Sequence, residues 1–271
     1  MGDEIFERLK QEKEFHDGWA NDMDIATLDP DAFYRCPTTP EVTYGIDSLG
    51  DVRTKRIVCL GIGSGISSVF FALKGAEVIA ADISPGMCAL ADELARRFRV
   101  SPHIRTSVMA GGFLAVRDES CDLFFGENVL HHLDLDLAVP EIRRILKKGG
   151  TAVFVEPLGH NPFINLFRRL SPQTRTESER PLLMKDVRRM AGLFSQCRHT
   201  EFHLLTLSLY VWFYFIEGAD PNKERFWIKI VNQADRYEKA FQVLYALDRI
   251  LLAGIPFLKR HCRMSVIRCE K

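Results

Sequence analysis

The chain has 271 residues, among them 36 basic and 36 acidic side chains, and 46% of its residues are hydrophobic. This length suits one large α/β domain with additions, and the hydrophobic content supplies a core for it. Because the balanced charge leaves no net field that would attract a polyanion, the composition disfavours nucleic acid as a partner. We therefore expect a single domain over residues 1–271 that does not bind nucleic acid.

The cysteines and the N-terminal segment bear on cellular location. The seven cysteines are odd in number, never spaced as CxxC, and lie mostly within apolar stretches. We therefore expect reduced, buried thiols, no zinc site and a cytoplasmic protein. The first residues, MGDEIFERLKQEKEF, are charged and lack the apolar core of a signal peptide. The cysteines are Cys36, Cys59, Cys88, Cys121, Cys197, Cys262 and Cys269.

Taken in chain order, residues 1–50 are predicted to form a helical cap. Apolar residues between Ile5 and Phe15 form a stripe that predicts a helix over 3–25, and a proline-rich loop follows it. Residues 55–206 then alternate predicted strands and helices, a pattern typical of right-handed crossovers in a parallel sheet. The strands are expected at 56–60, 77–82, 104–108, 122–126 and 151–156, and the helices at 67–74, 84–99 and 140–147.

Beyond residue 156 the pattern changes. The part of the chain beyond residue 156 contains the apolar run 204–216. These 13 residues are too few to cross a bilayer as a helix, because a spanning helix needs about 20 residues. We expect this run to begin a hydrophobic helical lid over a pocket, with peripheral contact to a membrane surface as the alternative. The elements expected here are helices at 162–170 and 185–194, a strand at 201–205, a helical insertion at 207–261 with a long helix over 223–253, and a last strand within 262–271.

The most informative stretch is IVCLGIGSGISSVFFALKGAEVIAAD, residues 57–82. Glycines 61, 63 and 65 allow a sharp turn and leave room for a ligand against the main chain, where a Cβ would intrude. Asp82 follows at the carboxyl end of the next strand, where a carboxylate can accept hydrogen bonds from both hydroxyls of a ribose. The spacing is GxGxG, and Ile66 occupies the place of the third glycine of the dinucleotide pattern GxGxxG. The loop therefore favours a nucleoside cofactor smaller than NAD.

With the glycine loop, three further segments carry a family resemblance: the acidic strand end Asp82-Ile83-Ser84, CDLFFGENVLHHLD (121–134) and RRILKKGGTAVFVEP (143–157). In this order and at these spacings, the chain resembles the class I S-adenosylmethionine-dependent methyltransferases of small molecules, over roughly residues 55–200. The resemblance implies a doubly wound, mostly parallel seven-stranded sheet of Rossmann-like type. It also implies S-adenosylmethionine as cofactor and S-adenosylhomocysteine as product.

The same resemblance implies which residues contact the cofactor. Two positions depart from the family pattern: Cys59 stands where an acid usually precedes the first glycine, and Ala110 stands where an acid is common near the adenine. Backbone groups at Ala110 and Gly111 can still read the adenine edge, because an N–H and a carbonyl suffice. The implied cofactor-binding residues are Gly61, Gly63, Gly65, Asp82, Ile83, Ala110, Gly111 and Asn128.

The expected catalytic residues are His160, His131 and Glu156, and no metal is expected. His160 follows the fifth strand and is the leading base candidate, since an imidazole of ordinary pKa can accept a proton from an attacking hydroxyl. Its alternative role is to cap the helix that begins at Pro162, and for His131 the alternative is packing. Four arginines either bind an acidic substrate group or form a solvated surface. They are Arg168, Arg169, Arg175 and Arg180.

The favoured function is methyl transfer to a small-molecule acceptor by in-line displacement, in which the enzyme mainly aligns the reacting atoms. The neutral charge and the aromatic insertion favour an apolar or mixed acceptor, such as a quinone-like ring, a lipid or lipid-linked sugar, or a secondary metabolite. Two alternatives stay open. One is an NAD(P)-dependent oxidoreductase, which Ile66 disfavours, and the other is a noncatalytic methyltransferase-like subunit. The sequence leaves the oligomeric state open.

Overall fold

A computed structural model of the chain describes residues 2–176 and 179–271. In this part of the chain, strands form a seven-stranded sheet in the order β3-β2-β1-β4-β5-β7-β6. The first five strands run parallel, and β7 lies antiparallel between β5 and β6. The strands are β1 (Arg56–Leu60), β2 (Glu77–Asp82), β3 (Ile104–Val108), β4 (Cys121–Glu127), β5 (Leu146–Pro157), β6 (Gln196–Phe202) and β7 (Met264–Glu270).

Helices cover both faces of this sheet, so the expected doubly wound α/β fold class is confirmed. The central strands are apolar runs that are buried on both faces, as a parallel sheet between two helical layers requires. The helices are α1 (Gly2–Asn21), α2 (Pro30–Tyr34), α3 (Pro40–Asp47), α4 (Ile66–Leu73), α5 (Pro85–Arg97), α6 (Leu135–Ile145), α7 (Pro162–Leu170), α8 (Met184–Ala191), α9 (Ser208–Phe215), α10 (Phe226–Asn232) and α11 (Ala234–Gly254).

The local signals for β1, β2, β3 and α7 give their bounds as expected, whereas α6, β5 and β6 each begin five residues before the expected start, β5 at Leu146. The expected start of α6 at Pro140 is wrong, because Asp134 accepts a hydrogen bond from the Asp136 N–H and so starts the helix five residues earlier. The sixth strand begins at Gln196 instead of residue 201, because it pairs with the whole length of β7. Strand pairing and capping therefore set these boundaries.

The insertion at 207–261 contains α9, α10 and α11, so the long helix expected over 223–253 is in fact two helices that meet at Gln233. Its apolar residues form a cluster of their own against Phe167 of α7. Asp248 of α11 anchors the insertion to the end of β6, since its carboxylate accepts backbone N–H bonds from Leu204 and Leu205 at 3.0 and 2.6 Å. No helix in the described residues is long and apolar enough to cross a membrane.

Some apolar side chains of the insertion stay exposed to solvent. Phe213 is buried, whereas Trp212, Phe215 and Ile216 have exposed fractions of 50%, 74% and 64%. The run 204–216 therefore divides between a packed face and an exposed face, as expected from the number of its aromatic residues. Contact with a membrane surface stays a prediction.

The expectation that all cysteines are reduced is wrong. Cys197 of β6 and Cys269 of β7 are directly paired across the antiparallel strands, with their Cα atoms 4.1 Å apart, and they form a disulfide. The other five cysteines are free and buried. The sequence hides this pair because its members are 72 residues apart and only the β6–β7 register brings them together. The argument for the cytoplasm from reduced thiols therefore loses its basis, and the location stays a prediction.

We expect thiol titration to reveal this bond. Protein unfolded in guanidinium without reductant should react with about five equivalents of Ellman's reagent, as the five free cysteines require, and with all seven after reduction. A Cys197→Ala variant is the matched control, and it should expose Cys269 as a sixth thiol when reductant is excluded. Seven reactive thiols in the unreduced protein would contradict the assignment.

Candidate active site

The glycine loop between β1 and α4 lies at the carboxyl edge of the sheet. Gly61, Gly63 and Gly65 have φ angles of +68°, +51° and +82°, a region that side chains rarely adopt. A Cβ on Gly61 would lie 2.5 Å from Val129 Cγ2, and a Cβ on Gly65 would lie 2.4 Å from Ala91 Cβ. A Cβ on Gly63 would meet nothing within 4 Å. Two glycines thus allow close packing within the protein, and the middle one borders open space.

Asp82 lies beside this loop at the end of β2. Its carboxylate is buried and accepts hydrogen bonds from the N–H of Ser84 at 2.9 Å and of Gly63 at 3.4 Å. Burial raises the pKa of Asp82, and the backbone hydrogen bonds and the charge of nearby His16 only partly oppose this effect. Ser84 also caps α5, as expected, by accepting from the Met87 N–H at 3.0 Å.

A second acid, the half-buried Glu127, lies at the end of β4 and was not selected from the sequence. Because Leu60 pairs with Gly126, Glu127 lies next to the start of the glycine loop. The Tyr34 hydroxyl donates a hydrogen bond to Glu127 Oε2 at 3.2 Å, and Tyr34 is itself buried. Burial raises the pKa of Glu127 to about 7, with the charges of Glu41 and Glu156 adding to the shift. An acid here that lacks a cationic partner is therefore easily protonated.

The other residues implied for the cofactor lie around the same edge. Asn128 has a φ of +53° and an exposed side chain, and its N–H donates to the Val155 carbonyl. Ile83 and Ala110 are half-buried, while Gly111 is buried. A Cβ on Gly111 would lie 2.6 Å from Leu133, so this glycine allows close packing of the protein against itself.

Glu156 and His131 form a buried network between β5 and the turn that follows β4. Glu156 Oε1 accepts the N–H groups of Val129 and Leu130 at 2.8 and 2.7 Å, and Oε2 lies 2.8 Å from His131 Nδ1. Glu156 is completely buried. Both residues are therefore engaged in fixing the 128–132 turn at the site.

A third group, from α1 and the same turn, was also not selected from the sequence. Glu12 and His16 lie one turn apart on α1, and Glu12 Oε2 lies 3.1 Å from His132 Nδ1. Burial lowers the pKa of His132, but the hydrogen bond that its imidazole donates to Glu12 and the acids nearby outweigh burial and raise it. Ligand atoms of Glu12, His16 and His132 all lie within 4.8 Å of one another, close enough to hold a metal ion. The i,i+4 spacing on α1 was visible in the sequence, but the meeting with His132 was not.

His160 lies in the loop after β5. Its Nε2 accepts a hydrogen bond from the Met184 N–H at 2.9 Å, at the first turn of α8. Burial lowers the pKa of His160, and the positive charges of Arg260 and His261 lower it further. Asn161 caps α7, with its Oδ1 accepting from the Phe163 N–H. Asn161 thus caps the helix that begins at Pro162, whereas His160 accepts from the first turn of α8 instead.

The four arginines of segment 168–180 differ in their exposure to solvent. Arg169 and Arg180 are exposed, as a solvated surface requires. Arg168 and Arg175 are withdrawn from solvent, and the Nε atom of each is buried without a hydrogen-bond partner among the described residues. The solvated-surface alternative therefore fits Arg169 and Arg180, and substrate binding by Arg168 or Arg175 stays a prediction.

Residues 58–154 match the family model described as a methyltransferase domain. Among solved structures, the chain is similar to geranyl diphosphate C-methyltransferase from Streptomyces coelicolor A3(2), with 16% identity, 86% of this chain and 78% of that chain covered, and a TM-score of 0.57. It is similar to phosphoethanolamine N-methyltransferase 2 of Haemonchus contortus, with 19% identity, 84% and 52% covered, and a TM-score of 0.58. It is also similar to the [4+2]-cyclase SpnF, with 17% identity, 86% and 80% covered, and a TM-score of 0.54. No curated protein sequence matched the chain.

These likenesses, at such low identity, concern the fold. Together with the strand order and the glycine loop, they identify the class I methyltransferase fold. The family model covers residues 58–154, a segment that runs from β1 to β5.

The two kinds of glycine in the loop should respond differently to alanine. Gly63→Ala adds backbone strain alone and should lower the free energy of unfolding by about 1–2 kcal/mol. Gly61→Ala adds the same strain and a collision with Val129, so the loss should reach about 2–4 kcal/mol. Urea unfolding of the two variants tests this difference. Equal losses would contradict the packing role of Gly61.

Proposed function

We propose that the chain binds S-adenosylmethionine and transfers its methyl group to a small molecule. The observation that carries this proposal is the open space at Gly63, with the Asp82 carboxylate beside it at the carboxyl edge of the sheet. Ligands of doubly wound sheets bind outside this edge. The match of 58–154 to a methyltransferase domain supports the proposal, as does the similarity to two solved methyltransferases of small molecules.

The residues around Gly63 fit the cofactor's chemical groups. Asp82 offers a carboxylate to the ribose hydroxyls, and the main chain at Ala110 and Gly111 offers hydrogen-bonding groups to the adenine. Ile83 supplies apolar surface next to Asp82. Asn128 offers a side-chain amide to the methionine part.

We propose that Glu127 binds the cofactor's ammonium group. The position from which an acid usually does so is occupied by Cys59 in this chain. The Cys59 thiol is buried, and burial raises its pKa to about 12, so it carries no negative charge. Glu127 lies on the strand next to β1 and two positions past the partner of Cys59, which is Phe125. Strand alternation puts Glu127 on the same face of the sheet as Phe125. A cation beside it would stabilise a carboxylate that burial otherwise protonates.

The cofactor supplies a methyl group on a sulfonium, which leaves readily as a thioether. The protein's own task is then to orient the acceptor and exclude water. We propose positioning roles for Glu156, His131 and His160, because each already uses its polar atoms on neighbouring backbone or side-chain groups. Glu156 and His131 hold the turn that carries Asn128, and His160 holds the start of α8.

Of the alternatives, an NAD(P)-dependent oxidoreductase has the least support, because α4 begins at Ile66 without the third glycine of the dinucleotide pattern. A methyltransferase-like protein with another role keeps some support, because the similar structures include a cyclase with this fold. Fold alone does not define the reaction.

Calorimetric titration with S-adenosylhomocysteine and with NADH tests the proposal. We expect the first ligand to bind and the second not to bind. Asp82→Ala should weaken S-adenosylhomocysteine binding by about 2–4 kcal/mol, because the two ribose hydroxyls lose a charged acceptor. The matched control is Asp92→Ala, since Asp92 is exposed on α5. Binding of NADH in preference would overturn the proposal. Cofactor binding without methyl transfer to any acceptor in a screen with labelled methyl donor would favour the noncatalytic alternative.

The pH dependence of binding isolates the role of Glu127. With a pKa of about 7, Glu127 loses its proton as the pH rises from 6 to 8 and then attracts the ammonium group. Affinity for S-adenosylhomocysteine should therefore rise about tenfold over this range. Glu127→Gln cannot ionise, so its affinity should be roughly 10- to 100-fold lower at pH 8 and should lose this part of the pH dependence.

The comparison needs the variant because burial also raises the pKa of Asp82, which can add a pH dependence of its own. That contribution is common to both proteins, so the difference between them reports Glu127. Identical pH profiles for the wild type and Glu127→Gln would show that the ammonium group is held elsewhere.

A further inference from the structure

Four arginines from separate segments of the chain share charged neighbours near the carboxyl edge of the sheet. Each comes from a region that borders the expected acceptor pocket: helix α7, the segment that follows it, the start of α10 in the insertion, and the residue before β7. They are Arg168, Arg175, Arg225 and Arg263.

The first two arginines have hydrogen-bonding capacity that the protein does not use. Arg168 Nη1 donates to Asn165 Oδ1 at 3.1 Å, and Arg175 Nη1 donates to Glu179 Oε1 at 2.6 Å. The Nε atom of each is buried and has no partner among the described residues. A buried N–H of a charged group without an acceptor is costly, so these atoms lack the partner that a ligand can provide.

The other two arginines are held by aromatic rings. The Arg225 guanidinium lies 3.9 Å from the ring centre of Trp19 on α1, and that of Arg263 lies 5.3 Å from the ring centre of Tyr210. Arg263 also lies 3.9 Å from Glu41, but Glu41 has a closer partner in His203 at 2.7 Å. Stacking orients a guanidinium and leaves its N–H edge available.

Positive charge exceeds negative charge in this cluster. Burial lowers the pKa of Arg168 to about 10, and the charges of Arg175 and Arg263 contribute. Burial also lowers the pKa of Arg225, again with a contribution from Arg175. Glu179 is the acid that acts on both Arg168 and Arg225. Several cations withdrawn from water around one acid form an arrangement that an additional anion would stabilise.

The cluster borders the proposed site of methyl transfer. The ligand atoms of Glu179, His131 and His132 lie within 4.8 Å of one another, which puts the Arg175–Glu179 pair next to the turn that follows β4. The Arg263 carbonyl accepts from the Leu158 N–H at the end of β5. An anion held here would lie close to the carboxyl edge at which the cofactor is proposed to bind.

We propose that Arg168, Arg175, Arg225 and Arg263 bind a phosphate or diphosphate group of the methyl acceptor. The substrate class is thus a phosphorylated small molecule, and the aromatic residues around Tyr210 would contact its apolar part. A phosphate group matches the cluster because its several oxygens accept from more than one guanidinium fork, and its charge exceeds that of a carboxylate. This inference rests on the proposed function, of which it defines the acceptor.

Calorimetry with inorganic pyrophosphate, inorganic phosphate and acetate at constant ionic strength tests this proposal. The wild-type protein should bind pyrophosphate and phosphate, and acetate much more weakly. Arg168→Met and Arg175→Met should each weaken pyrophosphate binding roughly 10- to 100-fold, which is the effect of losing a charge-assisted hydrogen bond. Arg169→Met is the matched control, because Arg169 is the exposed neighbour of Arg168 on α7 and should leave binding unchanged.

Absence of pyrophosphate and phosphate binding to the wild type, or equal binding of acetate, would overturn the inference, and neither result requires a variant. Equal effects of Arg168→Met and Arg169→Met would also contradict it. The titrations are made with and without S-adenosylhomocysteine. Cofactor binding without anion binding would refute this inference alone, whereas anion binding without cofactor binding would refute the proposed function.

Discussion

The absence of a side chain at Gly61 is the constraint on which the carboxyl edge of the sheet depends. It lets Val129 pack directly against the end of β1, where a Cβ would collide with it. The backbone of Val129 is in turn held by the buried carboxylate of Glu156 on β5. A continuous set of contacts therefore runs across β1, β4 and β5, and it fixes the backbone around Gly63 and Asn128. The open space at Gly63 depends on this frame.

Charge is unevenly distributed around that frame. On the side of β1 and β2, the buried Asp82 and the half-buried Glu127 are acids whose pKa values are raised, so each would be stabilised as a carboxylate by hydroxyl or ammonium groups. On the side of α7 and the insertion, half-buried arginines exceed the acids around them. Under the proposed function, the acids contact the cofactor and the arginines contact the acceptor.

The sequence predicts the fold well because its signals there are local. The bounds of β1, β2 and β3 follow from short apolar runs, and the start of α5 follows from Ser84 and Pro85. The sequence alone did not reveal contacts between distant segments. Tyr34 and Glu127 are 93 residues apart, and Cys197 and Cys269 are paired only by the register of antiparallel strands.

The site residues follow the same rule. The glycine loop and Asp82 are neighbours in a single strand–helix–strand unit, so their spacing predicts their proximity. The burial of Arg168 and the exposure of Arg169 depend on which side of α7 meets the rest of the protein, and a polar sequence does not show this. The difference between a solvated arginine and one whose buried Nε lacks an acceptor among the described residues is therefore visible only once the helices are packed.

A crystal structure of the protein with S-adenosylhomocysteine would test the central claim most directly. We predict that the ribose hydroxyls lie within hydrogen-bonding distance of the Asp82 carboxylate, with the ligand's main contacts along Gly63 and its ammonium group beside Glu127. Binding of the ligand away from Gly63 and Asp82, or crystals that remain ligand-free at saturating concentration, would contradict the account.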